Sequence, residues 1–202
     1  MSEDLLSQFS EIHKDVFLEI ANLGIGKAAA TMSSLVDRHV NIAVPELVFI
    51  DVSKGVPPAF LKDQITVQVR QRFYGGIDGE AILALSRTGA ILLSRLLLDD
   101  ADMDDAFGDN EQGAILETGN IMIGGLVGKL ANTLGVSLKY DIPQIKLKGE
   151  SLFTKQEACN VTCAVIIKAK LTIDDEDITS YLILRFCAEH FKQMMLKLDD
   201  LY

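Results

Sequence analysis

The chain has 202 residues, 49% of them hydrophobic and 24% charged, with a net charge of −10 and a pI near 4.7. That composition is globular, and the length suits one large domain or two small ones intimately joined. So acidic a surface field disfavours nucleic acid and anionic membrane as partners and favours a basic protein surface.

"MSEDLLSQFSEIHKD" opens the chain with acidic, amphipathic character unlike a signal peptide, and no run of eighteen apolar residues follows, so a cytoplasmic location and no transmembrane helix are expected. From Leu5 to Arg38, Phe9, Ile12, Val16, Ile20 and Leu23 recur at helical spacing and predict an amphipathic helix. "NIAVPELVFIDV" reads as a strand containing a proline. "QITVQVRQRFYGGIDGEAILALS" predicts a hairpin with a GG turn, and "TGAILLSRLLLD" a second helix with Thr88 as its cap. An acidic stretch, "DDADMDDAFGDNE", then separates these elements from a second set in the same order. That set is a helix over 111–135, a strand at "PQIKL", a hairpin of 160–172 and 178–186 around "DDED", and a helix over 187–198. Cys159, Cys163 and Cys187 lack CxxC spacing and are expected to be buried, reduced thiols.

The two sets share more than their order. Glu19 and Glu117 are 98 positions apart, as are Asn22 and Asn120, Gly26 and Gly124, and Pro45 and Pro143. Four matches at one offset indicate an internal duplication. The expected organisation is one domain, 1–202, built from two repeats of about 1–98 and 111–202 that are joined by an acidic linker and related by a pseudo-twofold axis. On a helix, Glu19, Asn22, Gly26 and Ala30 form one stripe, and Glu117, Asn120, Gly124 and Gly128 another. Each sets a carboxylate and an amide beside almost no side-chain bulk. Two readings follow. The glycines can let helices cross closely, with the Asn bonding across, or the stripes can be exposed grooves that admit another protein. A carboxylate is seldom buried without a partner, which weighs against the first.

Asp15-xxx-Glu19-xx-Asn22-x22-Pro45 resembles the D/S-xxx-E-xx-N-x22-P signature of the CheC/CheX/FliY family of chemotaxis phosphatases, and "EIANLGIGKAAATM" with "VNIAVPEL" is nearest the CheC form. The second copy, Glu117-xx-Asn120-x22-Pro143, matches except at its first position, which is Gly113. The resemblance covers essentially the whole chain. It implies an α+β fold, internally duplicated, with two motif-bearing helices on one side of antiparallel strands. It also implies hydrolysis of the aspartyl phosphate on a CheY-type response regulator. Asn22 and Asn120 would then position the water and Glu19 and Glu117 would contact the receiver's lysine, with Asp15, Pro45 and Pro143 supporting the motif. In this family the receiver brings its own Mg²⁺, so no cofactor of the chain's own is expected. Complex formation with the receptor deamidase CheD is a second family theme, for which this sequence offers no specific residue. The alternative is a non-enzymatic module that binds a receiver or a flagellar-switch component.

Other signals are weaker. "GIGKAA" matches half of a dinucleotide fingerprint but lacks the preceding strand, and it lacks the spacer and Ser/Thr of a P-loop. Asp100, Asp102, Asp104 and Glu111 fall at positions 1, 3, 5 and 12 of an EF-hand loop, but Asp105 stands where the turn needs glycine. A plain acidic linker and a calcium loop both remain open there. His13, His39 and His190 are dispersed, without metal-ligand spacing.

Overall fold

A computed structural model describes residues 10–52, 65–99, 107–147 and 161–200. In chain order the elements are α1 (Glu11–Val36), β1 (Val40–Asp51), β2 (Ile65–Gly75), β3 (Gly79–Ser86), α2 (Arg87–Leu98), α3 (Asp109–Thr133), β4 (Leu138–Tyr140), β5 (Gln144–Leu147), β6 (Val161–Ile173), β7 (Glu176–Cys187) and α4 (Ala188–Asp199). The fold is α+β, with four helices and one antiparallel sheet among the described residues. No described helix is long and apolar enough to cross a membrane.

Helix α1 begins where its sequence caps it. The Ser10 side chain accepts from the His13 backbone N–H at 3.3 Å, and the His13 ring accepts from the Ser10 N–H at 3.1 Å, a reciprocal capping box. With Nδ1 an acceptor, Nε2 carries the proton and donates to Asp199 Oδ1 at 2.7 Å, which ties the start of α1 to the end of α4. The cap of α2 is Ser86 and not the expected Thr88: Ser86 Oγ accepts from the Gly89 N–H at 3.0 Å, while Thr88 already lies inside the first turn. The β6–β7 hairpin turns on Asp174 and Asp175 alone, with φ of 50° and 67°. Aspartate tolerates that left-handed geometry, and the resulting twist matches the strands.

The sheet order is β1-β6-β7-β3-β2-β4, with β5 also pairing with β2. Read from either edge the pattern is the same: a proline-interrupted edge strand, a long strand, then one of the two strands that lead into α2 and α4. The edges are exchanged between the repeats. β1 pairs with β6 of the second set, and β4 and β5 pair with β2 of the first. The motif prolines mark equivalent breaks, Pro45 at the register shift between Ala43 and Glu46 and Pro143 between β4 and β5. Proline has no N–H to give a ladder, so it is tolerated at an edge or bulge. The expected strand at "PQIKL" is β5, which starts directly after the proline, and β4 is a further short strand that precedes it.

The main core lies between one face of the sheet and the helices. Val69, Leu83, Val165 and Leu184 pack there against Phe17, Ile25, Ile123 and Leu126. α1 and α3 cross at Gly24 and Gly125. A Cβ built on Gly24 would stand 2.7 Å from the Gly125 carbonyl oxygen, and one built on Gly125 would stand 2.5 Å from that of Gly24. On the other sheet face, Arg185 is fully buried against Glu80, Nη1 to Oε2 at 2.7 Å. Burial pushes the Arg185 pKa down, and the Glu80 carboxylate opposes that shift. Cys163 is buried and Cys187 only half-buried, short of the burial expected for it; Cys159 lies outside the described residues.

Candidate functional site

The stripe read from the sequence is real, but its apolar counterpart is displaced by about one position. Ile12 and Leu23, expected in the core, are 61% and 52% exposed. The buried arc of α1 runs instead through His13, Val16, Phe17, Ile20, Gly24, Ile25, Ala28 and Met32. Opposite it, Asp15, Glu19, Asn22, Gly26 and Ala30 all face solvent. Helix α3 repeats the arrangement. Ile115, Thr118, Gly119, Met122, Ile123 and Leu126 are buried, whereas Gly113, Glu117, Asn120 and Gly124 are exposed and Gly128 half-exposed.

The glycines settle which of the two readings applies to the stripe. A Cβ added at Gly26, Gly113, Gly124 or Gly128 would meet nothing within 4 Å. These residues keep a surface bare; they do not let helices touch. The helix crossing exists, but it uses the buried Gly24 and the half-buried Gly125, which are not a repeated pair. The sequence held a faint signal for the first: Gly24 and Ala28 are small residues four apart in the segment that packs.

Within each stripe Glu and Asn are three apart on one helix, so their Cβ atoms are about 5–6 Å from one another. Among the described residues, the side chains of Asp15, Glu19, Asn22, Glu117 and Asn120 have no hydrogen-bond or ion-pair partner. An aliphatic residue follows each Glu by one turn: exposed Leu23 after Glu19, and half-buried Ile121 after Glu117. Each stripe thus offers an anion, an amide with both donor and acceptor, and an apolar shoulder on a rigid helix. On the flank of α1, Pro45 joins Glu11, Lys14, Leu18, Leu47 and Phe49 in lining a groove of about 470 Å³. Pro45 is exposed and Pro143 half-buried.

The remaining candidates divide differently. His13 holds Asp199, the His190 Nε2 stands 3.6 Å from Asp78 Oδ2, and His39 is exposed. Of the EF-hand-like residues, 100–106 lie outside the described residues; Gly108 is the N-cap of α3, and Glu111 sits in its first turn. No group of three or more His, Cys, Asp or Glu among the described residues could hold a metal ion. The half-fingerprint "GIGKAA" lies in mid-α1, where no strand precedes it.

Comparison with known proteins points the same way. The flagellar motor switch phosphatase FliY of Bacillus subtilis (strain 168) is 24% identical over 144 residues, which is 70% of this chain and 37% of FliY. The CheY-P phosphatase CheC of the same organism is 23% identical over 146 residues, 71% of this chain and 70% of CheC. The crystal structure of Thermotoga maritima FliY shares the fold with a TM-score of 0.75, over 96% of this chain and 98% of that one, at 20% identity. The chain is similar in sequence to FliY and CheC and shares the FliY fold. No family model matches it. Against FliY, the chain spans well under half of the relative's length.

Proposed function

We propose that this chain is a phosphatase for the aspartyl phosphate of a CheY-type response regulator, with two sites centred on Asn22 and Asn120. The observation that carries this reading is the pair of outward-facing Glu–Asn stripes kept bare by Gly26 and Gly124. The names of the relatives, CheY-P phosphatase and flagellar motor switch phosphatase, support it.

The chemistry asks little of the chain beyond positioning. Phosphoryl transfer passes through a loose transition state, and its catalysts work mainly by alignment and electrostatics. An Asn amide offers one donor and one acceptor direction to a single water, enough to hold it in line with the phosphorus. The amide does not titrate, so it orients the water without acting as a base. Three residues away, Glu19 or Glu117 supplies a charge-assisted bond to the lysine beside the phosphorylated aspartate of the receiver. Mg²⁺ is assigned to the receiver. An exposed carboxylate on a rigid helix, with no competing cation among the described residues, suits that grip.

The test is the decay of a phosphorylated receiver with and without the chain. Acceleration that grows with the amount of chain supports the reading. Slowed decay would instead mark a sequestering binding module and refute hydrolysis.

A further inference from the structure

Beside the second stripe lies an apolar cleft that the water-positioning chemistry does not use. Met32, Leu35 and Val36 of α1, Leu97 and Leu98 of α2, and Ala114, Thr118 and Ile121 of α3 form it, and Glu117 stands in its wall. Its volume is about 180 Å³, room for one large aliphatic or aromatic side chain. The rim is unusually bare for leucine: Leu35 is 63% exposed and Leu98 42%. Exposed leucines gathered around a concave apolar surface mark interaction sites more often than scattered surface residues do. In the first repeat, Val16 and Ile20 stand at the positions of Ala114 and Thr118 and bring more side chain into the corresponding space.

Charge narrows the occupant. The chain carries −10, and Glu117 in the wall has no cation among the described residues. A partner that fills the cleft therefore gains by placing a lysine or arginine beside its apolar anchor. Asn120 lies three residues further along the same exposed stripe. One footprint thus combines an apolar socket, an anion and the water-positioning amide. Resting on the function proposed above, we infer that the phosphorylated receiver docks at the second stripe through one large apolar side chain seated in this cleft, with a basic residue against Glu117. The second site then holds its partner more tightly than the first. This holds although only the first copy retains an acidic residue at the leading motif position, Asp15, where the second has Gly113.

The experiment measures binding, so that it stands apart from hydrolysis. The probe is a CheY-type receiver activated with beryllofluoride, titrated calorimetrically into the full chain. A Glu19→Lys background weakens the first site by charge reversal. In that background Leu35→Glu and Leu98→Glu should each raise Kd by roughly tenfold or more, as expected when an anchor loses its pocket. The control Leu196→Glu, at an exposed leucine of α4, should change Kd by less than about twofold. Unaltered far-UV circular dichroism and melting confirm the fold of each variant. If both rim variants bind like their parent while Glu117→Lys abolishes binding, the docking inference is wrong and the phosphatase reading is untouched. If the rim variants lose binding but the chain does not hydrolyse phosphorylated receiver, docking stands and the phosphatase reading falls. Sedimentation giving a dimer that Leu35→Glu dissolves would assign the cleft to a second copy of this chain and overturn the inference.

Discussion

Alanine substitution at four glycines separates helix packing from surface access. At Gly24 a new Cβ meets the Gly125 carbonyl at 2.7 Å, and at Gly125 it meets that of Gly24 at 2.5 Å. Both obstacles are backbone, so α1 and α3 must move apart, and overpacking of this kind costs typically 1–3 kcal/mol. At Gly26 and Gly124 nothing lies within 4 Å, and alanine there gains helix propensity of about 1 kcal/mol each. For a chain of this size about 1 kcal/mol corresponds to a shift of roughly 2–4 °C in Tm. Urea and thermal melts should therefore show Gly24→Ala and Gly125→Ala destabilised, and Gly26→Ala and Gly124→Ala unchanged or stabilised. A bulkier pair, Gly26→Leu and Gly124→Leu, should keep the fold and lose receiver dephosphorylation. Destabilisation at Gly26 and tolerance at Gly24 would refute this division of the glycines.

Three further outcomes are expected. A fragment ending near residue 99 should fail to fold alone, because β1 finds its partner in β6 and β2 is left without β4 and β5; circular dichroism and gel filtration of the fragment check this. Glu80→Ala should cost about 3–5 kcal/mol in denaturant melts by removing the carboxylate held against the buried Arg185, whereas replacing both residues with apolar side chains of similar volume should be near neutral. Asn22→Asp in an Asn120→Ala background should fail to restore dephosphorylation, since it removes the N–H donors and sets a negative charge near a phosphoryl group; full activity there would mean that the residue works as a base or not at all.

The two exposed Glu–Asn stripes were legible in the sequence because the same residues occur twice at one offset. The 98-residue offset ties Glu19, Asn22, Gly26 and Pro45 to second copies, and no packing accident places the same set twice. Apart from the short β4, element type and order among the described residues followed from periodicity and turn residues. The core face of α1 did not. Ile12 and Leu23 fit a helical stripe as well as Phe17 and Ile25 do, and only the neighbouring layer decides between them. Strand exchange was likewise hidden, since antiparallel partners leave no mark on local pattern. The socket beside Glu117 joins three helices through residues that read singly as ordinary core. Local chemistry misplaced one cap: serine and threonine stood two residues apart at the start of α2, and the hydrogen bond from Gly89 selects Ser86.

The most direct measurement of the central claim is the decay rate of a phosphorylated CheY-type receiver with wild-type chain, Asn22→Ala, Asn120→Ala and the double variant. Both positions are exposed, so each substitution should shift stability by no more than about 0.5 kcal/mol. Each single variant should retain the activity of the other site. The double variant should lose roughly 10²–10³ of the acceleration while keeping its fold. A folded double variant that still speeds decay like the wild type would contradict the assignment of both stripes.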